Sequence, residues 1–275
     1  CIGTWPYLHC PITLAALDEG KHVLTEARMA MNASEAHAML ETAKANPHLV
    51  AQVVPSPFTM KFDRTIQDLI ADGFLGELLA IEVQVSQGNF VDKEIPFHWR
   101  HNQDLSGYNT LGLGIWYESL LRWIGPAVKI FALTKVAVNE RFDAEGALRR
   151  ISVPDHVDVL CEMLTGAQAH IRNSAITGLS RGPEAWLYGS LGTLRLDIGT
   201  GMLFGGRKGE RDLSVIEVPP EKQEFWRVEE EFVNAIRGLE PVSRTTFEDG
   251  VKNMEFTEAV AISAQEGRTV SLPLH

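Results

Sequence analysis

The stretch Gly20-Lys21-His22-Val23-Leu24-Thr25-Glu26-Ala27-Arg28-Met29-Ala30 decides the fold. His22 to Thr25 reads as a short buried strand, entered from a helix through Gly20 and left through a charged turn. In open α/β sheets, ligands gather outside the carboxyl ends of such strands. Glu26 and Arg28 are therefore expected to face a ligand rather than the core.

On the upstream side, Cys1-Ile2-Gly3-Thr4 reads as the tail of a strand and Trp5-Pro6-Tyr7 as a turn. Leu8, Ile12, Ala15 and Ala16 then follow helical spacing until Gly20 supplies the C-cap. Downstream, Asn32 with Glu35 three residues later forms a capping-box pattern, and Ala36, Met39, Leu40 and Ala43 make one apolar face up to Asn46-Pro47. His48 to Val54 reads as the next strand, closed by Pro55-Ser56-Pro57, and Phe62, Ile66, Leu69 and Ile70 mark a further helix up to Gly73. Strands and helices alternating at this spacing predict a parallel sheet with right-handed crossovers.

After Gly76 the pattern changes. Leu79 to Ser86 alternates with period two, as a strand with one wet face does, and an antiparallel sheet is expected to begin there. The aperiodic segment from Gln87 to Asn109 holds Trp99-Arg100-His101, and ordered loops of this kind commonly carry function. Leu113 to Trp123 reads as a helix, followed by strands at Val128 to Ala137, Val157 to Leu164, Ala169 to Ile176, Ala185 to Gly189 and Thr193 to Asp197. Helices over Trp226 to Arg237 and Phe247 to Gln265 and a short strand at Val270 to Leu272 complete the chain. Glu229-Glu230-Glu231 reads as a charge run on the wet side of its helix, and His156 as a cap or surface residue opening a strand. The expected class is α/β plus α+β: an incomplete Rossmann-like parallel sheet in residues 1–57, then a mostly antiparallel open-sheet domain in 58–275, with the last helix packing back on the first unit.

Composition narrows the function. A chain of 275 residues with 45% apolar content can bury a sizeable core. Its 25 basic and 36 acidic residues give a formal charge of −11, which leaves no electrostatic footprint for nucleic acid or an anionic membrane. No apolar run reaches the roughly 18 to 20 residues of a membrane span. Cys1, Cys10 and Cys161 have neither disulfide-framework nor metal-ligand spacing, so no metal is expected and a reducing cytoplasm is the natural location. A small molecule is the expected partner.

Several motifs, in order, carry a resemblance. Cys1 to His9 is similar to the strand and turn "IGTPNxLH", and Leu14 to Glu26 to "ALxxGKHVLxEKP", of the Gfo/Idh/MocA family of NAD(P)-dependent oxidoreductases. Gly73-Phe74-Leu75-Gly76-Glu77, Ser106-Gly107, Arg122-Trp123-Ile124-Gly125, Tyr188 to Leu194 and Gly267-Arg268-Thr269-Val270 match later landmarks, so the resemblance spans essentially the whole chain. It implies a Rossmann domain followed by an open sheet that covers the nicotinamide and a sugar-like substrate, with homo-oligomers formed through that sheet. NAD or NADP is the implied cofactor. The family's GxGxxG turn, which lets backbone N–H groups approach the pyrophosphate, is absent, and Gly112-Leu113-Gly114 and Gly205-Gly206 do not replace it. The chain therefore resembles a member lacking roughly its first 60 to 70 residues, with dinucleotide binding impaired.

The resemblance also assigns positions. Thr4, Trp5, Pro6, His9, Glu26 and Arg28 fall on the cofactor side, and Trp99, Arg100, Asn109 and Trp116 on the substrate side. The family's catalytic lysine falls on Ala27, and its Asp and His on Gly112 and Trp116, none of which moves a proton. Arg28 stays charged and suits an anion rather than a proton shuttle. Tyr117 and Glu118, next in the helix, are the expected replacements, given a lowered and a raised pKa respectively. The expected function is hydride transfer at a sugar, cyclitol or related polyhydroxylated compound with an atypical proton relay. A non-catalytic binding or oligomerising scaffold and NAD-assisted glycoside cleavage are the alternatives.

Overall fold

The computed structural model describes residues 1–86, 88–108 and 112–274. The chain opens with a 3-10 turn, Pro6–Leu8, leading into α1 (His9–Asp18), β1 (Val23–Thr25), α2 (Ala33–Ala45) and β2 (Ala51–Val53). β1 and β2 pair in parallel, and Ile2 bridges to Thr25 on the other side of β1, also in parallel. The capping pattern at α2 is closed by both side chains: Asn32 Oδ1 accepts from Glu35 N at 2.8 Å, and Glu35 Oε2 accepts from Met31 N at 3.0 Å.

The chain continues through α3 (Met60–Ala71), β3 (Leu78–Ser86), α4 (Gln103–Ser106), α5 (Leu113–Ile124), β4 (Ala127–Lys135), β5 (Glu140–Phe142) and β6 (Leu148–Arg150). Then come β7 (His156–Met163), β8 (Gln168–Ser174), β9 (Glu184–Gly189), β10 (Gly192–Asp197), β11 (Met202–Arg207) and β12 (Ser214–Ile216), followed by α6 (Val228–Ile236), α7 (Phe247–Glu266) and β13 (Val270–Ser271). Nine strands form one sheet in the order β12-β11-β10-β9-β3-β8-β7-β4-β13. The sheet is antiparallel except for β3 against β8, a parallel pair whose long connection runs through α4, α5 and the four strands β4 to β7. Ile81 and Val83, Val157 and Val159, Ala169 and Ile171, and Leu194 and Leu196 point inward in strict alternation and bury against α3, α5 and α7.

Two apolar cores result, and α7 belongs to both. Phe247, Val251 and Met254 pack with Leu17, Val23, Met39 and Val53 around the parallel strands. Phe256, Ala259 and Val260, two turns on, pack with Tyr117, Ile130 and Val159 beneath the large sheet. The contact needs Gly250, where a Cβ would meet Met29 Sδ at 2.5 Å. Gly107 has φ +63° and lies so close to Met31 that a Cβ would meet the Met31 carbonyl oxygen at 2.3 Å.

Three sequence expectations are corrected. The β5–β6 hairpin was absent from them, because its side chains are mostly exposed and show no apolar period; its turn is built by Asp143 Oδ1 accepting from Glu145 and Ala147 N–H. β11 and β12 were missed because Gly205-Gly206 interrupts the apolar pattern. Glu231 is no surface charge: it is buried, with Oε2 accepting from Gln52 Nε2 at 2.7 Å and Oε1 from Ser243 N at 3.0 Å.

Candidate functional site

A cleft of about 1610 Å³ opens where the carboxyl ends of β1 and β2 meet the large sheet. One wall is Pro6, Glu26-Ala27-Arg28 and Val54-Pro55-Ser56; the facing wall includes Ser86, Asn173-Ser174-Ala175 and the segment from Asn89 to His101. The N-terminal turn of α5, with Gly112, Ile115 and Trp116, and Asn253 and Thr257 of α7 close the floor. Strand ends thus deliver backbone turns to the cleft, as the position of an open α/β crevice requires.

The turn after β1 is fixed from behind by His9. Its Nδ1 lies 2.8 Å from the Arg28 carbonyl and its Nε2 2.9 Å from the Thr4 carbonyl, and the ring is buried. His9 and the Thr4 carbonyl therefore brace the turn from behind, and neither residue is among those lining the cleft. Trp5 is not among the lining residues, but its ring stacks on that of the lining Trp99 with centroids 5.8 Å apart. Arg28 reaches across to donate Nη1 to the Ser106 carbonyl at 2.9 Å. Burial, with Arg100 nearby, pulls its pKa down to about 10, so the guanidinium stays charged at neutral pH.

Trp99, Arg100 and Trp116 line the cleft, and Asn109 lies outside the described residues. The Arg100 guanidinium sits over the Trp99 ring at 4.3 Å, a cation–π contact. His98 and His101 flank this pair. His98 Nδ1 accepts from Arg100 N at 3.2 Å and His101 Nδ1 from His98 N at 3.0 Å, which leaves each Nε2 as the second ring nitrogen. Both imidazoles are held below the usual histidine value, by burial first, then by Arg100 at His98 and by Arg141 at His101.

Neither expected proton carrier is placed to act. Tyr117 is wholly buried beneath the sheet, stacked on Phe256 at 3.6 Å, and its hydroxyl accepts from Ala127 N at 2.9 Å. Burial pushes its phenol far above the ordinary value, opposite to the shift a proton carrier needs. Glu118 does reach the cleft wall, but its Oε1 already accepts from Arg122 Nη1 at 2.6 Å, Ser56 N at 2.9 Å and Thr245 Oγ1 at 2.7 Å. Burial raises its pKa, and Arg122 opposes the rise. Helix phase explains both: with Trp116 facing the cleft, Tyr117 is turned into the sheet and Glu118 toward α3.

The sequence did not single out three cleft-lining side chains. Ser56, Arg141 and Asn173 are buried, and Ser56 Oγ, Arg141 Nε and Asn173 Nδ2 have no hydrogen-bond partner among the described residues. Asn173 Nδ2 lies 3.3 Å from where a Cβ on Gly112 would sit, so the space left by the missing carboxylate borders an amide. Ser56 sits in a visible Pro-Ser-Pro turn, but Asn173 and Arg141 occupy ordinary strand positions that sequence spacing does not mark.

Comparison with known proteins agrees with this arrangement. Residues 1–53 match the oxidoreductase family with an NAD-binding Rossmann fold, and residues 64–195 match the GFO/IDH/MocA C-terminal domain. The levoglucosan dehydrogenase of Pseudarthrobacter phenanthrenivorans is 25% identical over 206 residues, 66% of this chain and 53% of the relative. The dTDP-3,4-didehydro-2,6-dideoxy-alpha-D-glucose 3-reductase of Streptomyces antibioticus is 26% identical over 276 residues, 94% of this chain and 75% of the relative. The chain spans about half the length of the first curated relatives it matches. A solved levoglucosan dehydrogenase in complex with NADH superimposes with a TM-score of 0.84 at 20% identity, covering 100% of this chain and 79% of that one. With both domains matched in order along one continuous fold, the chain belongs to the Gfo/Idh/MocA family of oxidoreductases.

Proposed function

We propose that the cleft is the substrate site of an NAD(P)-dependent oxidoreductase acting on a sugar, cyclitol or related polyhydroxylated compound. The observation that carries this reading is the set of buried polar atoms without a partner among the described residues, on side chains that line a cleft at the carboxyl ends of β1 and β2. The named activities of the relatives, on levoglucosan and on a dTDP-sugar, point the same way.

The residues present fit one end of the cofactor. Pro6, Val54 and Pro55 give an apolar surface beside the unpartnered Ser56 Oγ, which suits a nicotinamide ring with its polar amide. The diphosphate finds no glycine-rich turn in this sequence. When bound, nicotinamide supplies the hydride acceptor or donor. The chain's part is to orient the reacting carbon and receive a proton. Ala27, Gly112 and Trp116 cannot do the latter. His98 and His101, kept neutral near pH 7, are the cleft groups we assign to it.

The test is a panel of sugars and cyclitols with NAD+ and NADP+, read by nicotinamide absorbance, with wild type and His101→Gln. We expect turnover that His101→Gln lowers by roughly 10²-fold or more. Ala27, Gly112 and Trp116 favour one further reading, a non-catalytic scaffold that binds its ligand without turning it over. Ligand binding with no turnover across the panel would establish it. Self-association is also proposed, through the outer face of the large sheet, where Leu133 and Leu160 are exposed and Trp186 stacks on Tyr188. Light scattering that gives a monomer mass would end that proposal.

A further inference from the structure

Arg122, Arg195 and Arg244 show how this fold treats a guanidinium drawn out of water. Arg122 pairs with Asp63 and Glu118, Arg195 with Glu184 and Asp197, and Arg244 with Asp63 and Glu224. Arg141 is treated differently. It is 7% exposed and lines the cleft, yet no carboxylate among the described residues forms an ion pair with it. Nη1 donates to the Ile95 carbonyl at 2.7 Å, and the Nε–Nη2 edge has no hydrogen bond to a described residue. That edge can pair bidentately with a carboxylate.

Asn173 lies toward the same end of the cleft. Asp155 joins the two: its Oδ2 accepts from Ala137 and Val138, just before β5, and its carbonyl accepts from Ala175 N at 2.9 Å, just after β8. The Asn173 side chain is 4% exposed, and an amide, both donor and acceptor, suits a hydroxyl. The acids that also line the cleft do not answer Arg141. Glu118 is engaged by Arg122, Asp155 by backbone N–H groups, and Glu26 and Asp92 are exposed to water.

We propose that the cleft selects a polyhydroxylated acid, its carboxylate on the Nε–Nη2 edge of Arg141 and a neighbouring hydroxyl on the Asn173 amide. This rests on the cleft being the substrate site proposed above, and it narrows the substrate to the sugar-acid class. A buried guanidinium without a counter-charge is costly, and a bound carboxylate removes that cost where a neutral sugar cannot. Arg141 already lines the cleft, and a side-chain movement that uncovers its buried Nε would bring the edge to the ligand.

The test is calorimetric titration of the 275-residue chain with D-glucuronate, D-glucose and D-glucose 6-phosphate, with and without excess NADH. Glucuronate is expected to bind roughly 10- to 100-fold more tightly than glucose. Arg141→Gln should erase that preference while leaving glucose affinity unchanged, and Asn173→Ala should weaken both sugars. Because Arg141 also holds Ile95, Arg141→Lys serves if the Gln variant does not fold: it keeps the charge, loses the fork and should reduce the preference without abolishing it. Equal binding of glucuronate and glucose, a preference unchanged in both Arg141 variants, tighter binding of the phosphate, or no binding of any probe would overturn the proposal. Selective glucuronate binding without nicotinamide turnover would overturn the hydride-transfer reading alone. Turnover of neutral sugars with no acid preference would overturn only the present one.

Discussion

Two polar regions meet at Ser56. On one side its backbone joins a charge-balanced network: Ser56 N donates to Glu118, its carbonyl accepts from Arg122 Nη2 at 3.3 Å, and Arg122 Nη2 also donates to Thr59 Oγ1 at 2.9 Å, while Arg122 Nε makes no hydrogen bond among the described residues but is ion-paired with Asp63. Asp63 closes the network, accepting from Trp123 Nε1 at 2.7 Å and pairing with Arg122 and Arg244 at 2.9 Å each. On the other side Ser56 lines the cleft, and its hydroxyl, like Asn173 Nδ2 and Arg141 Nε, has no hydrogen-bond partner among the described residues. Both regions are buried and charged, so burial alone does not separate structure from site. The difference is satisfaction. Where the fold completes its own hydrogen bonds, the residues hold α3, α5 and the 244–245 segment together. Where the cleft wall leaves polar atoms without a described partner, at Ser56, Arg141 and Asn173, the partner we assign is a ligand; the other such atoms, among them Thr13 Oγ1, Thr25 Oγ1 and Thr65 Oγ1, lie away from the cleft.

The comparison is tested most severely on the charge-balanced side. Asp63→Ala leaves Arg122 short of one counter-charge and Arg244 with only Glu224, and should destabilise the fold by about 3–5 kcal/mol. Urea unfolding of the variant checks this. A loss below about 1 kcal/mol would mean that the network is no more structural than a surface ion pair.

Tyr117→Phe comes next. It leaves the Ala127 N–H buried without its acceptor, a loss of about 1–3 kcal/mol. Any turnover per folded molecule should be unchanged, because the hydroxyl lies beneath the sheet. Thermal melting and steady-state rates on one preparation separate the two effects. A large fall in rate with full stability would return Tyr117 to the chemistry.

This residue also shows how far the sequence could be read. The period and caps around Gly20, Asn32 and Gly73 are local signals, and they located the first helices and β1–β2 to within a few residues. The turn at Glu26-Ala27-Arg28 was legible for the same reason: a strand end in an open sheet must face a crevice. Which residue of α5 faces that crevice is set by tertiary packing, and a rotation of about 100° per residue separates Trp116, Tyr117 and Glu118. No local signal sets the phase of that helix, so Tyr117 and Glu118 are marked only by their nearness in the chain to the position of the lost histidine. Asn173 and Arg141 were less legible still. They come from strands distant in sequence, and they matter through partners they lack, which no spacing rule encodes.

On the open side the expected effect on stability is small. Asn173→Leu replaces an unpartnered amide with an apolar group of similar size, and the stability change should stay within about 1 kcal/mol. A loss like that of Asp63→Ala would show that Asn173 is bound within the fold after all. That outcome would remove the distinction between the two regions at this position.

The smallest effect belongs to the cleft imidazoles. His98 and His101 face Arg100 and Arg141, with Asp155 the opposing charge, and their pKa values are held below the unfolded value near 6.5. Below that value the unfolded chain therefore binds more protons than the fold, and stability falls as pH drops. The contribution is fully present above about pH 6.5 and is lost on acidification toward the folded values. Because His98 is exposed and His101 only partly buried, solvent screens much of the effect. Thermal midpoints at about pH 7.5 and pH 5.5 should differ less in a His98→Gln, His101→Gln double variant than in wild type. The acid ligand proposed for this end of the cleft reverses the sign locally. Its carboxylate favours the protonated rings, so added D-glucuronate should narrow the wild-type pH difference, whereas D-glucose leaves it unchanged. A difference that glucuronate does not alter would place the imidazoles too far from the Arg141 edge to share a ligand with it.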